Sequence, residues 1–347
     1  MPKIEFINHA SVLISDDNIG ILTDPWYEGD VFNKGWNLLI NQSDKEVEET
    51  LEKTNYIWVS HEHPDHFSVN FFIKYKNLIQ ERKIKILFQK TLDSRVTNFL
   101  KSKSFEVIEL TDNKTYSLNE RLKVKVIKVD FYDSAQIFEF DDIRVVNMND
   151  CPFESDLELK KFAKKVGRAD LLLSQFSYAA WKGGKENKKW RQDAAREKLV
   201  TLKMQAQVLE CEKIIPFASF IYFSNKENMY LNDSHNRPSD VIDYFKNSKI
   251  TPYIFKPFEK QSISELKQDP SSIAFWDNVF NKINNLNYYT YDKSFNFDEL
   301  KLEHKKYIDN IFRKNSKFLI YILYKLKIFN AFSDLNIYLY DQNLYIN

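Results

Sequence analysis

The chain has 347 residues, of which 43% are hydrophobic and 15% aromatic, enough to bury a large core. Its 50 basic and 49 acidic side chains leave a formal net charge of +1, so the composition gives no indication of nucleic acid or an anionic membrane as a partner. The two cysteines, Cys151 and Cys211, exclude a disulfide scaffold and an iron–sulfur cluster held by cysteines alone.

Neither end of the chain carries a membrane or export signal. The N-terminal sequence MPKIEFINHA lacks the basic and apolar regions of a signal peptide. The longest apolar run near the C-terminus, FLIYILY, is too short to span a bilayer. We therefore predict a cytoplasmic protein without a membrane span.

Predicted strands and helices alternate in the first third of the chain. Two alternating apolar stretches flank the turn sequence SDDN and predict a β-hairpin. Capping residues and apolar spacing predict three helices, and short apolar runs between them predict two strands. The hairpin stretches are 4–14 and 19–23, the helices 43–54, 68–83 and 94–104, and the strands 55–60 and 84–88.

The rest of the chain predicts a further set of strands, a long helix and a separate C-terminal part. Residues 121–150 show successive strands with turns near 133 and 141. From about residue 285 the apolar residues no longer follow a clear period. We predict a main domain over 1–285 and, over 286–347, a small appendage of a basic helix and a strand pair, which could be incomplete. The other predicted elements are a strand over 168–176, a helix-permissive stretch over 186–213, an apolar segment over 213–220, a helix over 239–247 and the strand pair over 336–347.

Three of the six histidines lie within six residues, in the sequence SHEHPDHFS directly after a predicted strand. His61 and His63 are two residues apart, so at a strand end they can project to the same side. Pro64 turns the chain, and Asp65 and His66 then point into the same space. Imidazole and carboxylate together suit zinc, iron or manganese. The spacing therefore predicts a centre for one or two divalent metal ions, and a purely structural use of these histidines is the alternative.

The sequence HEHPDH resembles the signature of the metallo-β-lactamase fold, and NHASVLI, ILTDP and VVNMND around it fit the same family. The resemblance implies an α/β fold, a four-layer αββα sandwich, with a dinuclear metal site at one edge of its two sheets. It implies that His61 and His63 bind the first metal, that Asp65 and His66 bind the second, and that Asp150 bridges both.

The same resemblance implies two supporting residues. Asp24 would be a carboxylate that orients one of the ligand histidines, a role that fixes both the tautomer and the direction of the ring. His9 occupies a position where related sequences carry a histidine close to the site.

Two ligand positions of the family are empty in this sequence. The region before the bridging aspartate has no histidine, and Asp130 or Asp133 could replace it with a carboxylate. Asn225 stands where a late histidine is expected, and His235 could reach the metal if its loop folds back. Since water and substrate fill open positions of catalytic metals, an altered centre is plausible, and so is a degenerate one.

Four side chains are further candidates for contacts with a substrate, and Asn225 is a fifth. Lys182 and Lys185 lie in the basic, glycine-containing segment WKGGKENKKWR, which could hold a phosphate or a sugar nucleotide. Trp26 and Trp36 flank a loop and could stack a sugar or a base. A solvated basic loop and ordinary core aromatic residues are the structural alternatives.

A narrower resemblance runs in order over residues 1–285. The segments TDPWYEGDVFNKGW, VNMNDC and LLLSQFSYAAWKGGK are similar to the metallo-β-lactamase-like part of the CMP-N-acetylneuraminic acid hydroxylase family. That family also carries a Rieske iron–sulfur domain, which needs two cysteines and two histidines in paired motifs. Each cysteine here is far from a suitable partner, so we predict no Rieske centre.

Three functional hypotheses follow. The first is a hydrolase in which a metal activates water against a small anionic substrate, a sugar or a phosphorylated metabolite, with Asp65 or Asp150 accepting the proton. The second is a non-haem iron oxygenase that hydroxylates a sugar or sugar nucleotide with electrons from a separate redox protein. The third is a non-catalytic protein with a degenerate metal site. The fold alone does not decide between them.

Overall fold

The computed structural model describes residues 1–16, 19–130, 132–153, 155–290, 296–327, 336–339 and 343–346. The chain divides into two compact units, Met1–Tyr289 and Thr290–Asn347, whereas the boundary predicted from the sequence follows residue 285. Within the described ranges, no helix is both long enough and apolar enough to cross a membrane.

Two seven-stranded sheets form the centre of the first unit, and a small sheet of three strands accompanies them. The first sheet contains, in spatial order, β17 (Lys260–Ser262), β1 (Lys3–Asn8), β2 (Ser11–Ser15), β3 (Gly20–Thr23), β6 (Tyr56–Val59), β7 (Lys85–Gln89) and β8 (Val107–Leu110). The second contains β16 (Thr251–Pro252), β14 (Lys213–Phe217), β13 (Leu171–Gln175), β12 (Ile143–Asn149), β11 (Asp133–Phe140), β10 (Leu122–Val129) and β9 (Thr115–Ser117). The small sheet contains β15 (Ile221–Phe223), β5 (Trp36–Leu38) and β4 (Asp30–Val31).

Eight α-helices lie between or after these strands in the described part of the first unit. Several begin at a capping residue, and Ser43 forms a full capping box with Glu46 at the start of the first helix. The helices are α1 (Asp44–Glu52), α2 (Val69–Lys74), α3 (Lys76–Glu81), α4 (Arg95–Ser102), α5 (Asp156–Val166), α6 (Lys188–Val208), α7 (Pro238–Phe245) and α8 (Pro270–Asn281).

Strand β6 illustrates how the sequence pattern produces the layers. Trp58 belongs to the apolar cluster between the sheets, where its ring lies 6.3 Å from that of Phe138 on β11. Ile57 and Val59 belong to a different cluster, on the opposite face of the first sheet. This alternation has the period of two residues that a strand requires.

Helices cover the outer face of each sheet. Helices α1 to α4 share an apolar cluster with the outer face of the first sheet. Helices α5 and α6 pack against the second sheet and share its cluster. The predicted four-layer αββα sandwich is therefore confirmed.

Several elements differ from the sequence prediction in detail. The apolar stretch 4–14 is two strands, because the chain turns at His9, whose N–H donates to the side-chain oxygen of Asn8 (2.9 Å). Helix 68–83 is divided at Tyr75, and the first turn in 121–150 precedes Asp133, which already begins β11. Residues 17 and 18 of the predicted SDDN turn lie outside the described residues. The sequence analysis did not identify β8, α5, α8 or the small sheet.

The described residues of the second unit form two helices and a strand pair. Helix α9 (Phe297–Lys314) begins with a capping box between Asn296 and Glu299, and α10 (Lys317–Lys325) follows it. Strands β18 (Ile337–Leu339) and β19 (Leu344–Ile346) pair antiparallel. The predicted basic helix and strand pair therefore both occur, although residues 340–342 and 347 of the predicted pair lie outside the described residues.

The contact between the sheets provides a test of the core. We expect Phe138→Ala to lower the free energy of unfolding by about 3–5 kcal/mol, because a fully buried ring is replaced by a cavity between the sheets. The matched control is Leu92→Ala at an exposed position, expected to change it by less than about 0.5 kcal/mol. Urea unfolding followed by circular dichroism measures both, and equal stabilities of the two variants would contradict this assignment of the core.

Candidate metal centre

The candidate ligands follow strand ends at one edge of the two sheets. In the first sheet, β3 and β6 are parallel neighbours, and β1 runs in the same direction because both β1 and β3 are antiparallel to β2. His9, Asp24 and His61 therefore emerge at the same edge. In the second sheet, β12 ends just before Asp150, and the antiparallel β11 begins at Asp133. Polar residues that are distant in the sequence therefore lie close together at this edge.

The backbone at this edge is unusual. His9 has φ +29°, Asp24 has φ +34° and Asn149, before Asp150, has φ +48°. Such left-handed conformations cost about 1–3 kcal/mol each for residues other than glycine and concentrate at functional sites. Backbone hydrogen bonds hold two of them, because Ala218 N–H donates to the carbonyl of His9 and Asp24 N–H donates to that of Trp58, both at 2.9 Å.

The first group of candidate ligands is His9, Asp65 and His66, all buried. Asp65 Oδ2 lies 3.5 Å from His9 Nε2 and 3.4 Å from His66 Nε2. One carboxylate oxygen therefore faces two imidazole nitrogens, a geometry into which one metal ion would fit. The sequence analysis placed His9 only close to the site, but its Nε2 lies near enough to Asp65 Oδ2 for both atoms to bind one metal ion.

The second group is His61, His63 and Asp150. His61 Nε2 lies 2.9 Å from His63 Nδ1 and 4.0 Å from Asp150 Oδ1. Asp150 Oδ1 also lies 3.4 Å from His66 Nε2, in the first group. The carboxylate of Asp150 therefore lies between the two groups.

Asp24 and Ser60 orient two of the candidate ligand histidines through the Nδ1 atoms of their rings. Asp24 Oδ2 lies 2.8 Å from His66 Nδ1 and accepts a hydrogen bond from the Ser60 hydroxyl (2.7 Å), while Asp24 Oδ1 accepts one from the Ser60 N–H (2.7 Å). The Ser60 hydroxyl also lies 3.0 Å from His61 Nδ1. Because Nδ1 of each of these two rings faces this network, Nε2 of each is directed toward the candidate metal positions.

Electrostatics favour a cation at this centre. Burial by itself lowers the pKa of His66, but Asp150, Asp65 and Asp24 surround the ring and raise it well above its usual range. Burial and the neighbouring His66 lower the pKa of His61 to about 3, which keeps its imidazole in the neutral form that binds metals. The carboxylates therefore attract positive charge to the point where His66, Asp65 and Asp150 meet.

Unpaired polar atoms provide the test of whether a metal fits. Buried polar atoms are nearly always hydrogen-bonded, yet in this centre several have no such partner among the described residues. They are both ring nitrogens of His9, Asp65 Oδ1, His66 Nε2 and Asp150 Oδ1. Imidazole nitrogen and carboxylate oxygen are the donors that zinc, iron and manganese accept. The residues present therefore fit a divalent metal.

The replacement ligands considered from the sequence lie in different places. Asp133 Oδ1 lies 3.5 Å from His61 Nδ1, and burial together with the charge of Asp150 raises the pKa of Asp133 to about 7. Asp130 is exposed and belongs to neither group. Of the two aspartates, Asp133 is therefore the one that lies beside a candidate ligand histidine.

The two late candidates lie outside both groups. His235 is buried among aromatic rings: its ring stacks on Phe280 at 6.0 Å and meets Tyr178 edge-to-face at 5.8 Å, and burial lowers its pKa to about 4. Asn225 is buried as well, and its side-chain oxygen accepts a hydrogen bond from Glu227 N–H (3.0 Å). Neither residue belongs to a group of candidate ligands, whereas His9 belongs to the first group.

A cavity of about 420 Å³ adjoins the centre. Three candidate ligands, His63, Asp65 and Asp150, form part of its wall. Of the substrate-binding candidates, Trp36 and Lys182 line it, whereas Lys185 is exposed outside it and Trp26 packs 5.5 Å from the ring of His9. The remaining lining residues are Phe32, Gln175, Tyr178, Ala179, Ala180 and Lys198.

The sequence analysis missed two residues of this site. Ser60 connects Asp24 to two histidines, and its place between the strand and the first histidine was a usable signal. Lys198 lines the cavity, although α6 carries many charged residues and no motif marks this one. Burial lowers the pKa of Lys198.

The network behind the ligands predicts a loss of metal affinity in Asp24→Asn. The amide cannot accept all three hydrogen bonds and carries no charge, so His66 loses its orientation. We expect metal to bind about 10–100-fold more weakly, measured by competition with a chromophoric chelator. Asp142→Asn, at an exposed turn, is the matched control and should bind as the wild type does. Unchanged affinity in a folded Asp24→Asn protein would refute this role.

The chain was compared with proteins of known sequence and structure. The cytidine monophosphate-N-acetylneuraminic acid hydroxylase of Mus musculus is 25% identical over 293 residues, which cover 78% of this chain and 48% of that protein. The chain thus spans about half the length of the curated relatives that it matches. One similar solved structure is CmlA, a diiron β-hydroxylase from Streptomyces venezuelae, with 14% sequence identity and a TM-score of 0.53 over 75% of this chain and 54% of that one. Another is a possible metal-dependent hydrolase from Veillonella parvula, with 15% identity and a TM-score of 0.55 over 75% of this chain and 99% of that one.

These structural likenesses establish the fold, and the sequence match establishes the family. A family model described as the β-lactamase superfamily domain matches residues 3–188, more than half of the chain. The matched range contains both groups of candidate ligands together with Asp24 and Ser60. The chain therefore belongs to the β-lactamase superfamily.

Proposed function

We propose that this chain is a metal-dependent hydrolase that acts on a small anionic substrate, a sugar or a phosphorylated metabolite. The observation that supports it most is the meeting of two groups of candidate ligands at one cavity, with buried donor atoms left unpaired. A cavity of about 420 Å³ falls within the range typical of small-molecule sites.

The proposed roles follow from the geometry. His9, Asp65 and His66 would hold one metal ion, and His61, His63 and Asp150 a second. When bound, a divalent metal lowers the pKa of water to about 7 and polarises the bond to be cleaved. Asp24 and Ser60 keep two ligand rings in place, because the Asp24 carboxylate lies against His66 Nδ1 and accepts hydrogen bonds from Ser60, whose hydroxyl lies beside His61 Nδ1.

Asp65 is the proposed proton acceptor for the attacking water. Its Oδ2 faces His9 and His66, whereas its Oδ1 has no hydrogen-bond partner among the described residues. Asp65 also lines the cavity, so a carboxylate oxygen is within reach of a water molecule beside the substrate. Phe32 and Trp36 line the same cavity.

Metal removal tests the hydrolase. We expect chelation to abolish hydrolysis of a responsive ester or phosphoester from a substrate panel, and zinc or manganese to restore it, with equal rates in the presence and absence of dioxygen. Asp65→Ala should lose at least about 100-fold in rate while its melting temperature shows a folded protein. Asp142→Asn serves as the control, and full turnover by Asp65→Ala would exclude this mechanism.

A non-haem iron oxygenase is the second candidate. The observation that favours it is the likeness to curated hydroxylases over 78% of the chain. The carboxylates of Asp65, Asp133 and Asp150 lie around the same histidines, and such oxygen-rich sites suit iron as well as zinc. Under this proposal a separate protein would supply electrons, and the substrate would be a sugar or sugar nucleotide.

Metal analysis separates the two candidates. Protein purified anaerobically without an affinity metal column would contain about two irons per chain if it is the oxygenase, because six candidate ligands form two groups. Product formation would then require dioxygen and a reductant. Zinc or manganese with oxygen-independent turnover supports the hydrolase. No metal as purified and no uptake on titration would indicate the degenerate, non-catalytic protein.

A further inference from the structure

Lys198 lies on the buried face of α6. The buried residues of this helix recur at spacings of three and four, which is the pattern of a helix face directed at a core. Lys198 continues that pattern, with Ala194 and Leu202 one turn before and after it. The buried residues are Arg191, Ala194, Ala195, Leu199, Leu202, Gln205 and Ala206.

Among the described residues, the hydrogen-bond partner of the Lys198 ammonium group is an uncharged side chain. The ammonium group donates to Gln175 Oε1, and the amide group of Gln175 donates to the carbonyl of Ala218 (3.4 Å). Gln175 ends β13, so Lys198 is directed to the same edge of the second sheet as Asp150. No described residue forms an ion pair with Lys198, although the charge of Asp150 acts on it at longer range.

Lys182 lines the same cavity and is half-buried. It too has no ion-pair partner among the described residues. Lys182 and Lys198 repel each other electrostatically, whereas the charges of Asp150 and Glu197 attract Lys198. Half-buried lysines without an ion pair are uncommon, and a bound anion would supply one.

The loop that carries Lys182 is fixed by α6 rather than by Lys182 itself. Arg191 donates to the carbonyls of Gly184 (2.6 Å) and Lys185 (3.1 Å) and forms a two-point ion pair with Asp233 (2.8 Å for both contacts). Tyr230 donates from its hydroxyl to the carbonyl of Gly183 (3.2 Å). One helix therefore positions both lysines, which makes the pair preorganised for a ligand.

Two aromatic rings, those of Phe32 and Trp36, also line the cavity. Phe32 lies 4.5 Å from Trp36 and 6.0 Å from His63, measured between ring centroids. A flat or cyclic group can pack on such rings while its charged end reaches the lysines. The metal ligands lie beside both surfaces, so the bond to be cleaved would lie between the anionic and the cyclic part of a substrate.

We propose that Lys198 and Lys182 form an anion subsite that binds a phosphate or carboxylate group of the substrate beside the metal centre. This inference rests on the proposed function, because it names the substrate class of the same site. It assigns Lys198, fixed by Gln175, as the main binding residue and Lys182 as its partner.

Calorimetric titration of the metal-loaded protein with inorganic phosphate, and separately with acetate, tests the subsite. We expect saturable binding of one of these anions, weakened about tenfold or more in Lys198→Gln and in Lys182→Gln. Lys188→Gln, on an exposed turn of the same helix, is the matched control and should bind within about twofold of the wild type. Tighter phosphate binding indicates a phosphorylated substrate and tighter acetate binding a carboxylate, and both outcomes support the subsite.

Metal content is measured in every variant so that the two proposals fail separately. If the lysine variants keep their metal and bind both anions as the wild type does, the subsite is refuted while the hydrolase stands. If no metal binds but anion affinity still depends on the lysines, the subsite stands and the hydrolase is refuted. If Lys198→Gln does not fold, two other variants test the subsite. Lys182→Gln is expected to weaken anion binding, and the conservative Lys198→Arg is expected to retain it.

Discussion

The hydrogen bonds of the Asp24 carboxylate determine the geometry of the whole centre. Asp24 is completely buried, and burial raises its pKa, yet three hydrogen-bond contacts from Ser60 and His66 surround its two oxygens. Because Asp24 follows β3 and Ser60 follows β6, these bonds join the ends of two neighbouring parallel strands. The left-handed backbone at Asp24 is held by a separate bond, in which its N–H donates to the carbonyl of Trp58. Every candidate ligand on the loop after β6 is placed relative to this carboxylate.

The two sheets contribute different chemistry to the edge that they share. The first sheet provides all the imidazoles, from the turn after β1 and the loop after β6. The second provides the carboxylates of Asp133 and Asp150 and, through β13 and α6, the Gln175–Lys198 pair. The candidate site is thus a product of the sandwich, since neither sheet contains a complete set of groups. This explains why stability of the core and integrity of the site are linked in this fold.

Local patterns in the sequence sufficed for the parts of the site that are close in the chain. The spacing of His61, His63, Asp65 and His66 indicated a metal site, and family resemblance added Asp24, His9 and Asp150. The proximity of His9 to Asp65 could not be derived, because it depends on a turn that ends β1 after six residues. Lys198 was missed for a different reason. A lysine on the buried face of a helix that carries many charges can be recognised only when the buried face is known.

The position of β13 within the second sheet has a consequence for how the molecule can be divided. The family match ends at residue 188, but β13 pairs on one side with β12 and on the other with β14, which lies beyond that limit. A fragment that ended at residue 188 would leave the leucine-rich edge of β13 without its hydrogen-bonding neighbour and without the cover of α6. Exposed apolar strand edges pair with other chains and aggregate. The boundary of sequence similarity is therefore not a boundary of autonomous folding, and expression of the matched segment alone would yield insoluble protein.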